Sequence, residues 1–204
     1  PKRVFNVGGL GVDAIKKAKL LSKKELAEKT GIQFGKRNLL VTYHPVTLEN
    51  QTSQKKFQAL LDVLHELENV YLIFTMPNAD TGGRVLFRMI DDFVKLRPKA
   101  KAFTSLGQLR YLSCMKYVDG VVGNSSSGII EAPSLHVGTV DIGTRQHGRI
   151  RALSVINCEA TKTSISNGLK KLFSTAFQAA LKETTNPYGS GNISESIVEI
   201  LQTF

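Results

Sequence analysis

The sequence predicts an α/β fold, a doubly wound parallel sheet of the Rossmann-like type. Apolar runs of strand length alternate with amphipathic helical segments along the 204 residues. Strands that alternate with helices in this way form parallel sheets with helices on both faces. Several of the runs also stop at Pro or Gly, which end regular structure. Because the sequence has no internal repeat or low-complexity linker, residues 1–204 are expected to form one domain.

The elements follow in a regular order. Ser22 to Glu25 is a capping-box sequence that opens a short helix, and Gly31 ends it. Apolar runs predict the strands, and apolar residues at helical spacing predict the helices. The strands are expected at 38–44, 70–77, 100–106, 118–124, 138–143 and 154–159, and the later helices at 51–68, 86–97, 107–117, 164–183 and 193–203.

Composition limits the partners. The formal net charge of +10 favours anionic ligands such as nucleotides and sugar phosphates. The basic residues are spread over helix faces, which is typical of a solvated surface. Cys114 and Cys158 lack metal spacing, so free thiols in a reducing compartment are expected, and no metal. The sequence has neither a P-loop nor a dinucleotide fingerprint, and no cofactor is expected. With no membrane-length apolar run and no recognisable signal peptide, we expect a cytoplasmic protein without a membrane partner.

Open parallel sheets bind ligands at the carboxyl ends of their strands. This rule selects the candidate site residues of the chain. They are His44, residues 75–77, residues 104–106, Asn124 to Gly128, and Gly143 to Arg149.

The segment "GNSSSGIIEAP", residues 123–133, follows one of these strands. A turn at Gly123 and a helix from about Ser127 would present backbone N–H groups beside the hydroxyls of Ser125 and Ser126, an arrangement suited to a diphosphate. Glu131 would lie about one turn into that helix, from where its carboxylate could accept hydrogen bonds from a ribose diol. An N-cap serine followed by a surface glutamate is the simpler alternative.

Two further segments carry polar residues at strand ends. In "DIGTRQHGR", Arg145 is expected to bind phosphate oxygens, whereas Arg149 is interpreted as a solvated residue and His147 is left open. His44, at the end of "VTYH", would bind phosphate or act as an acid, with a structural role as the alternative.

Taken together and in this order, "VTYHPVT", "GNSSSGIIEAP" and "DIGTRQHGR" resemble the UDP-N-acetylglucosamine 2-epimerase family, most closely its hydrolysing branch. "VFNVGGLGVD" is similar to the family's entry into its second domain, and "NPYGSG" to the segment before its last helix. Non-hydrolysing relatives carry one serine followed by two glycines, and an arginine where this chain has Pro45. Gly138 departs from a proline that is common in the family.

The resemblance implies roles for individual residues. Ser125 and Ser126 would hold the diphosphate of UDP, within a loop that also includes Asn124, Ser127 and Gly128. Glu131 would hold the ribose, Arg145 would lie against UDP, and His44 would reach the phosphate or sugar. Ser105 and Leu106 would frame the uracil through backbone groups.

The resemblance also implies an architecture and a reaction. The chain would be the second half of a two-domain GT-B-type fold, and its own N-terminal domain, which carries the acid and base carboxylates, would lie outside it. The whole enzyme would convert UDP-N-acetylglucosamine to N-acetylmannosamine and UDP, in sialic-acid-type biosynthesis. The chain alone would bind UDP weakly and catalyse nothing. Assembly into a homo-oligomer stays open, as does the choice between N-acetylglucosamine and a 2,4-diacetamido sugar.

Two other functions compete with this one. A GT-B glycosyltransferase also places a ribose-binding glutamate here, so the chain could be its donor-nucleotide domain. The net charge alone would also suit a nonenzymatic nucleic-acid-binding module. Such a module usually presents aromatic side chains for base stacking, and none accompanies the basic residues, so no nucleic-acid partner is expected.

Overall fold

The computed structural model describes residues 3–46, 50–77 and 82–203, and a six-stranded sheet forms their centre. Every neighbouring pair of strands is parallel, and the strand order is β3-β2-β1-β4-β5-β6. The strands are β1 (Arg37–Thr42), β2 (Val70–Thr75), β3 (Ala100–Phe103), β4 (Gly120–Gly123), β5 (Thr139–Ile142) and β6 (Val155–Cys158). The predicted Rossmann-like α/β class is therefore confirmed.

Helices connect the strands and cover both faces of the sheet. They are α1 (Leu10–Lys17), α2 (Lys23–Thr30), α3 (Asn50–His65), α4 (Gly83–Lys95), α5 (Gly107–Lys116), α6 (Ser127–Ile130), α7 (Lys162–Leu172), α8 (Thr175–Ala180) and α9 (Ile193–Gln202). Two 3₁₀ helices, Ala132–Leu135 and Leu181–Glu183, follow α6 and α8. In the part of the chain that the structure describes, each helix falls short of the length and apolarity that a bilayer crossing needs.

Residues of the central strand alternate between two cores. Leu39 and Val41 of β1 belong to a cluster with α3, α4 and α7, whereas Leu40 belongs to a second cluster with α2 and α5. This alternation follows from the two-residue period of a strand, and burial on both faces is typical of parallel sheets. Hydrophobic packing thus fixes β1 from both sides and defines where its carboxyl end lies.

Local sequence signals account for the second helix. The Ser22 hydroxyl accepts from the Glu25 N–H, and the Glu25 carboxylate accepts from the Ser22 N–H at 2.8 Å. Gly31 ends the helix in the left-handed conformation, with φ of 66°. The predicted capping box and its glycine stop are confirmed.

Three predictions about helices need correction. Helix α1 was not expected, and the predicted helix at 164–183 is divided at Ser174, whose side chain accepts from Phe177 N–H and starts α8. The helix after the serine run is a single turn, because Pro133 ends the α-helical hydrogen bonding and a 3₁₀ turn follows. Glu131 therefore stands at the junction of two short helices and not within one.

The first and last helices are fastened together. The Asp13 carboxylate of α1 accepts from the N–H groups of Ile193 and Ser194, at 3.0 and 2.7 Å, which are the first two residues of α9. Hydrogen bonds from Ser194 and Ile193 lower the pKa of Asp13 to about 2. Lys17 and Glu195 form an exposed ion pair on the same two helices. The carboxylate supplies the cap that α9 would otherwise lack, since Asn192 makes no side-chain capping bond.

Candidate functional site

The site is built where the strand order reverses. β1 and β4 are hydrogen-bonded neighbours, yet the chain runs from β1 towards β3 on one side and from β4 towards β6 on the other. Connections leave in opposite directions at such a point and open a crevice at the carboxyl ends. Gly123 ends β4 with φ of 138°, and a Cβ there would lie 2.0 Å from the Thr42 carbonyl oxygen. Glycine is thus required for β4 to end this close to β1.

Asn124, the next residue, joins the two strand ends through its side chain. Its Oδ1 accepts from the His44 N–H at 2.7 Å, and its Nδ2 donates to the His44 carbonyl at 2.8 Å. Asn124 is 1% exposed. The predicted neighbours His44 and Asn124 are thus brought together, with Asn124 fixing the backbone of His44.

The loop after β5 contacts the backbone of Asn124. Arg145 Nη1 and Gln146 Nε2 both donate to the Asn124 carbonyl oxygen, at 3.0 and 2.7 Å. Arg145 is otherwise exposed, whereas Gln146 is buried. Arg145 therefore lies beside the serine loop, as the parallel order of β4 and β5 led us to expect.

A buried ion pair holds this arginine-bearing loop in place. Arg151 Nη2 lies 3.1 Å from Asp141 Oδ2 of β5, and the same nitrogen donates to the Gln146 carbonyl at 2.9 Å. Burial raises the pKa of Asp141, and the neighbouring Arg151 opposes that rise. The pair ties the far side of the loop to its strand, so the position of Arg145 depends on both residues.

Two of the three serines, Ser125 and Ser127, are connected by a hydrogen bond. Ser127 Oγ donates to Ser125 Oγ at 3.0 Å, and the Tyr111 hydroxyl of α5 lies 2.5 Å from Ser127 Oγ. Ser126 precedes α6, and its side chain makes no capping bond. Gly128 packs against Thr139 of β5, whose hydroxyl donates to the Gly128 carbonyl at 2.7 Å. The Ser125 hydroxyl is thus held by Ser127, while Gly128 faces the sheet.

Glu131 is partly buried behind this loop. Its Oε2 atom is shielded from solvent and accepts no hydrogen bond from the described residues. Desolvation raises the pKa of Glu131, while its own backbone N–H and the charge of Arg149 act in the opposite direction. A Cβ on Gly11 would lie 2.8 Å from Glu131 Oε1, so the glycine leaves room for the carboxylate. Oε2 of Glu131 is therefore a buried acceptor atom that the described residues leave without a donor.

Ser105 and Leu106 follow the end of β3, which two strands, β2 and β1, separate from β4. Ser105 Oγ accepts from the Gly107 N–H at 3.1 Å, and the Leu106 carbonyl accepts from Arg110 Nε at 2.7 Å. These bonds fix the turn before α5. The Leu106 carbonyl is already engaged by Arg110, and a further donor would have to use its second lone pair.

A separate cavity of about 690 Å³ opens beside the ends of β5 and β6. His147 and Arg151 line it, together with Glu159 and Thr161 at the start of α7. The serine loop and Glu131 do not line it, so the size of this cavity does not identify it as the candidate site. The described residues contain no group of three or more His, Cys, Asp or Glu side chains that could hold a metal ion.

Sequence reasoning missed the residues that support the site. Tyr111, Asp141 and Arg151 bond to site residues or hold their loop, and Gln146 lay within the selected range Gly143 to Arg149 but was given no role. Asp141 stood in the predicted strand 138–143, where a buried carboxylate calls for a cationic partner, and Arg151 is eight residues beyond that strand. Tyr111 gave no such signal, because an aromatic residue on a helix is more often part of a core.

The comparisons with known proteins agree on one family. A family model described as UDP-N-acetylglucosamine 2-epimerase matches residues 1–202. The GDP/UDP-N,N'-diacetylbacillosamine 2-epimerase (hydrolyzing) of Campylobacter jejuni is 39% identical over 178 residues, which are 87% of this chain and 46% of that protein. A polysialic acid biosynthesis protein of Escherichia coli is 37% identical over 205 residues, or 100% of this chain and 52% of that protein. The chain thus spans about half the length of these relatives.

Solved structures agree on the fold. The UDP-GlcNAc 2-epimerase of Methanocaldococcus jannaschii, in complex with UDP-GlcNAc and UDP, is matched with a TM-score of 0.75 at 17% identity, over 100% of this chain and 56% of that one. The C-terminal domain of a group 1 glycosyl transferase from Francisella tularensis has a TM-score of 0.57 at 12% identity, over 86% of this chain and 94% of that domain. The Rossmann-like domain of this chain is thus of the type found in GT-B folds.

Proposed function

The chain belongs to the UDP-N-acetylglucosamine 2-epimerase family, and from this membership we propose that it is the UDP-binding domain of a hydrolysing sugar-nucleotide 2-epimerase. The observation that carries the proposal is Glu131, a partly buried carboxylate with an unused acceptor oxygen behind the serine loop. A buried acceptor without a partner costs stability unless a ligand satisfies it. The two hydroxyls of a ribose are donors of the right kind.

The diphosphate would occupy the serine loop. Ser125 and Ser126 offer hydroxyl donors at the crevice, and Arg145 adds a positive charge beside them. Arginine and hydroxyl donors together suit phosphate oxygens, which are multiply charged acceptors. His44, whose backbone Asn124 fixes, would face the phosphate or the sugar from the end of β1.

In the proposed reaction, these residues bind UDP, which is the leaving group. A base removes the proton from C2 of the sugar, the bond from C1 to the UDP oxygen breaks, and a glycal and UDP result. Water adds its oxygen to C1 and a proton reaches C2 from the opposite face, which gives the 2-epimer as the free sugar. Serine, arginine and backbone donors stabilise the charge that develops on the departing diphosphate.

The acid and base are proposed to lie in a preceding domain, since the curated relatives are about twice as long as this chain. His44 is a tentative contributor from this chain. The names of the relatives favour UDP-linked N-acetylglucosamine or its 2,4-diacetamido analogue as substrate, in the synthesis of sialic-acid-type sugars. The chain alone would bind UDP and leave the sugar nucleotide unchanged.

Two measurements test this function. Calorimetric titration of the 204-residue chain with UDP should detect binding, with uridine and inorganic phosphate as weaker probes. The full-length protein, incubated with each UDP-sugar and no acceptor, should release UDP together with the free 2-epimer. A strict need for an acceptor would instead support a GT-B glycosyltransferase, and binding of RNA without UDP would support a nucleic-acid-binding module.

A further inference from the structure

Three hydroxyl groups are hydrogen-bonded in a row in the candidate site, from α5 to the serine loop. The Tyr111 hydroxyl of α5 lies 2.5 Å from Ser127 Oγ. Ser127 Oγ in turn lies 3.0 Å from Ser125 Oγ.

The direction of these hydrogen bonds follows from proton counting. A serine hydroxyl has one proton and two acceptor positions. Ser127 gives its proton to Ser125, so Tyr111 must be the donor in the bond between Tyr111 and Ser127.

Ser125 is the last hydroxyl in this series of donors and acceptors. Its oxygen accepts from Ser127 Oγ and, at 3.4 Å, from the Ser127 N–H. Both acceptor positions of the Ser125 oxygen are then in use, and its proton is left as a donor for a further group. Burial raises the pKa of Tyr111, and the charge of Glu131 acts in the same direction, so the phenol keeps its proton at neutral pH.

We propose that Tyr111 is a positioning residue that acts through Ser127 to make the Ser125 hydroxyl a donor to an anionic ligand. The proposal rests on the function given above, in which that ligand is the diphosphate of UDP. Each hydroxyl polarises the next, which strengthens the final donor. Without the tyrosine hydroxyl, Ser127 could accept from Ser125, and the Ser125 proton would then point away from the ligand.

Tyr111→Phe tests the proposal, because it removes one oxygen and keeps the ring that packs against the second core cluster. We expect UDP to bind about three- to tenfold more weakly, the range for one lost hydrogen bond, while uridine binding is unchanged. Tyr117→Phe is the matched control, since that hydroxyl donates to the Leu21 carbonyl at 3.0 Å, away from the serine loop. Unchanged UDP affinity in Tyr111→Phe would overturn the proposal.

A double-mutant cycle with Ser127→Ala separates positioning from a general loss of packing. If Tyr111 acts through Ser127, Tyr111→Phe should have little further effect on UDP affinity in the Ser127→Ala background. An equal loss in both backgrounds would overturn the proposal, and so would a Ser127→Ala variant that binds UDP like the wild type. Thermal unfolding of each variant confirms that it is folded, and Ser127→Ala alone still tests the proposal if Tyr111→Phe does not fold. If the proposed function is wrong, the wild-type chain itself does not bind UDP. That result is distinct from every outcome expected of the variants.

Discussion

The side-chain amide of Asn124 binds both backbone groups of His44, one through Oδ1 at 2.7 Å and one through Nδ2 at 2.8 Å. The contact connects the carboxyl ends of β4 and β1 across 80 residues of sequence. It sets the distance between the serine loop and His44. Two parallel strands, whose following connections leave in opposite directions, are thereby held together at their carboxyl ends.

Asn124→Asp should disrupt this contact, because a carboxylate oxygen would replace Nδ2 and face the His44 carbonyl. We expect a loss of about 1–3 kcal/mol in the free energy of unfolding, since the buried side chain at position 124 no longer donates to the His44 carbonyl. Urea denaturation measures it. Asn167→Asp, an exposed change of the same kind on α7, is the control. Equal midpoints for Asn124→Asp and wild type would show that the contact adds nothing to stability.

Glu131→Ala should weaken UDP binding by about 1–3 kcal/mol, because charged acceptors for the ribose hydroxyls are removed. The loss should be specific to those hydroxyls. Calorimetry with UDP and with 2',3'-dideoxy-UDP checks this, and Glu28→Ala on the exposed face of α2 serves as the control. A similar loss for the dideoxy nucleotide would remove the ribose role.

Glu131→Gln should stabilise the ligand-free chain at neutral pH. Burial raises the pKa of Glu131 above its ordinary value of 4.5, so the folded state binds more protons than the unfolded state just above that value. Stability that depends on the protonated form is complete below pH 4.5 and is lost as the pH rises through the folded-state pKa.

The advantage of Glu131→Gln over wild type should therefore shrink as the pH is lowered towards the ordinary pKa. Thermal unfolding between pH 4 and pH 8, in steps of about one unit, follows it. A difference that is constant over this range would mean that the carboxyl group is equally charged in both states.

Arg145→Lys should also weaken UDP binding, by about three- to tenfold, because lysine lacks the planar fork of the guanidinium. The arginine donates to the Asn124 carbonyl through Nη1 and keeps other donors for phosphate. Arg88→Lys, at an exposed position on α4, is the control for replacing an arginine by a lysine outside the candidate site. If Arg145→Lys binds UDP like wild type, Arg145 is a surface charge.

Arg151→Ala should be the most destabilising of these changes, at about 3–5 kcal/mol, because it leaves the buried Asp141 carboxylate without its cation. Asp141 is 2% exposed. Asp141→Asn added to Arg151→Ala should recover part of the loss, since the neutral amide needs no counter-charge. Urea denaturation of the single and double variants tests this. Additive losses would contradict a direct pairing.

The fold could be predicted from the sequence because the patterns that indicate its strands and helix ends are local. Alternating apolar runs predicted the six strands, and Ser22 and Gly31 marked the ends of α2. The shape of the segment 127–135 was not accessible. The sequence predicted a helix from about Ser127 that contains Glu131, but Pro133 allows one α-helical turn and then a 3₁₀ turn. Helix α1 was missed because its eight residues follow a glycine-rich segment and gain their stability from contact with α9.

The candidate site could likewise be predicted from the sequence only in part. His44, Ser125 and Arg145 were selected because each follows or ends a predicted strand. Residues at the carboxyl edge of a parallel sheet can be inferred from the positions where the strands end in the sequence. Hydrogen bonds between distant segments could not be inferred. Tyr111 reaches Ser127 from α5, and Gln146 reaches the Asn124 carbonyl, by contacts that depend on the final packing. Supporting residues of this kind leave no pattern in the sequence around the residues they support.

The contact between Asp13 and the start of α9 has a consequence for the order of folding. The two partners are 180 residues apart in sequence, and closing a flexible loop of that length costs about 4–5 kcal/mol in chain entropy. Two N–H bonds to one carboxylate do not offset that cost until the sheet has brought α1 and α9 together. We therefore expect this contact to form last on folding and to open first in local unfolding, before any strand separates. Because Gly11 of the same helix lies against Glu131, opening of α1 would also uncover the Glu131 carboxylate.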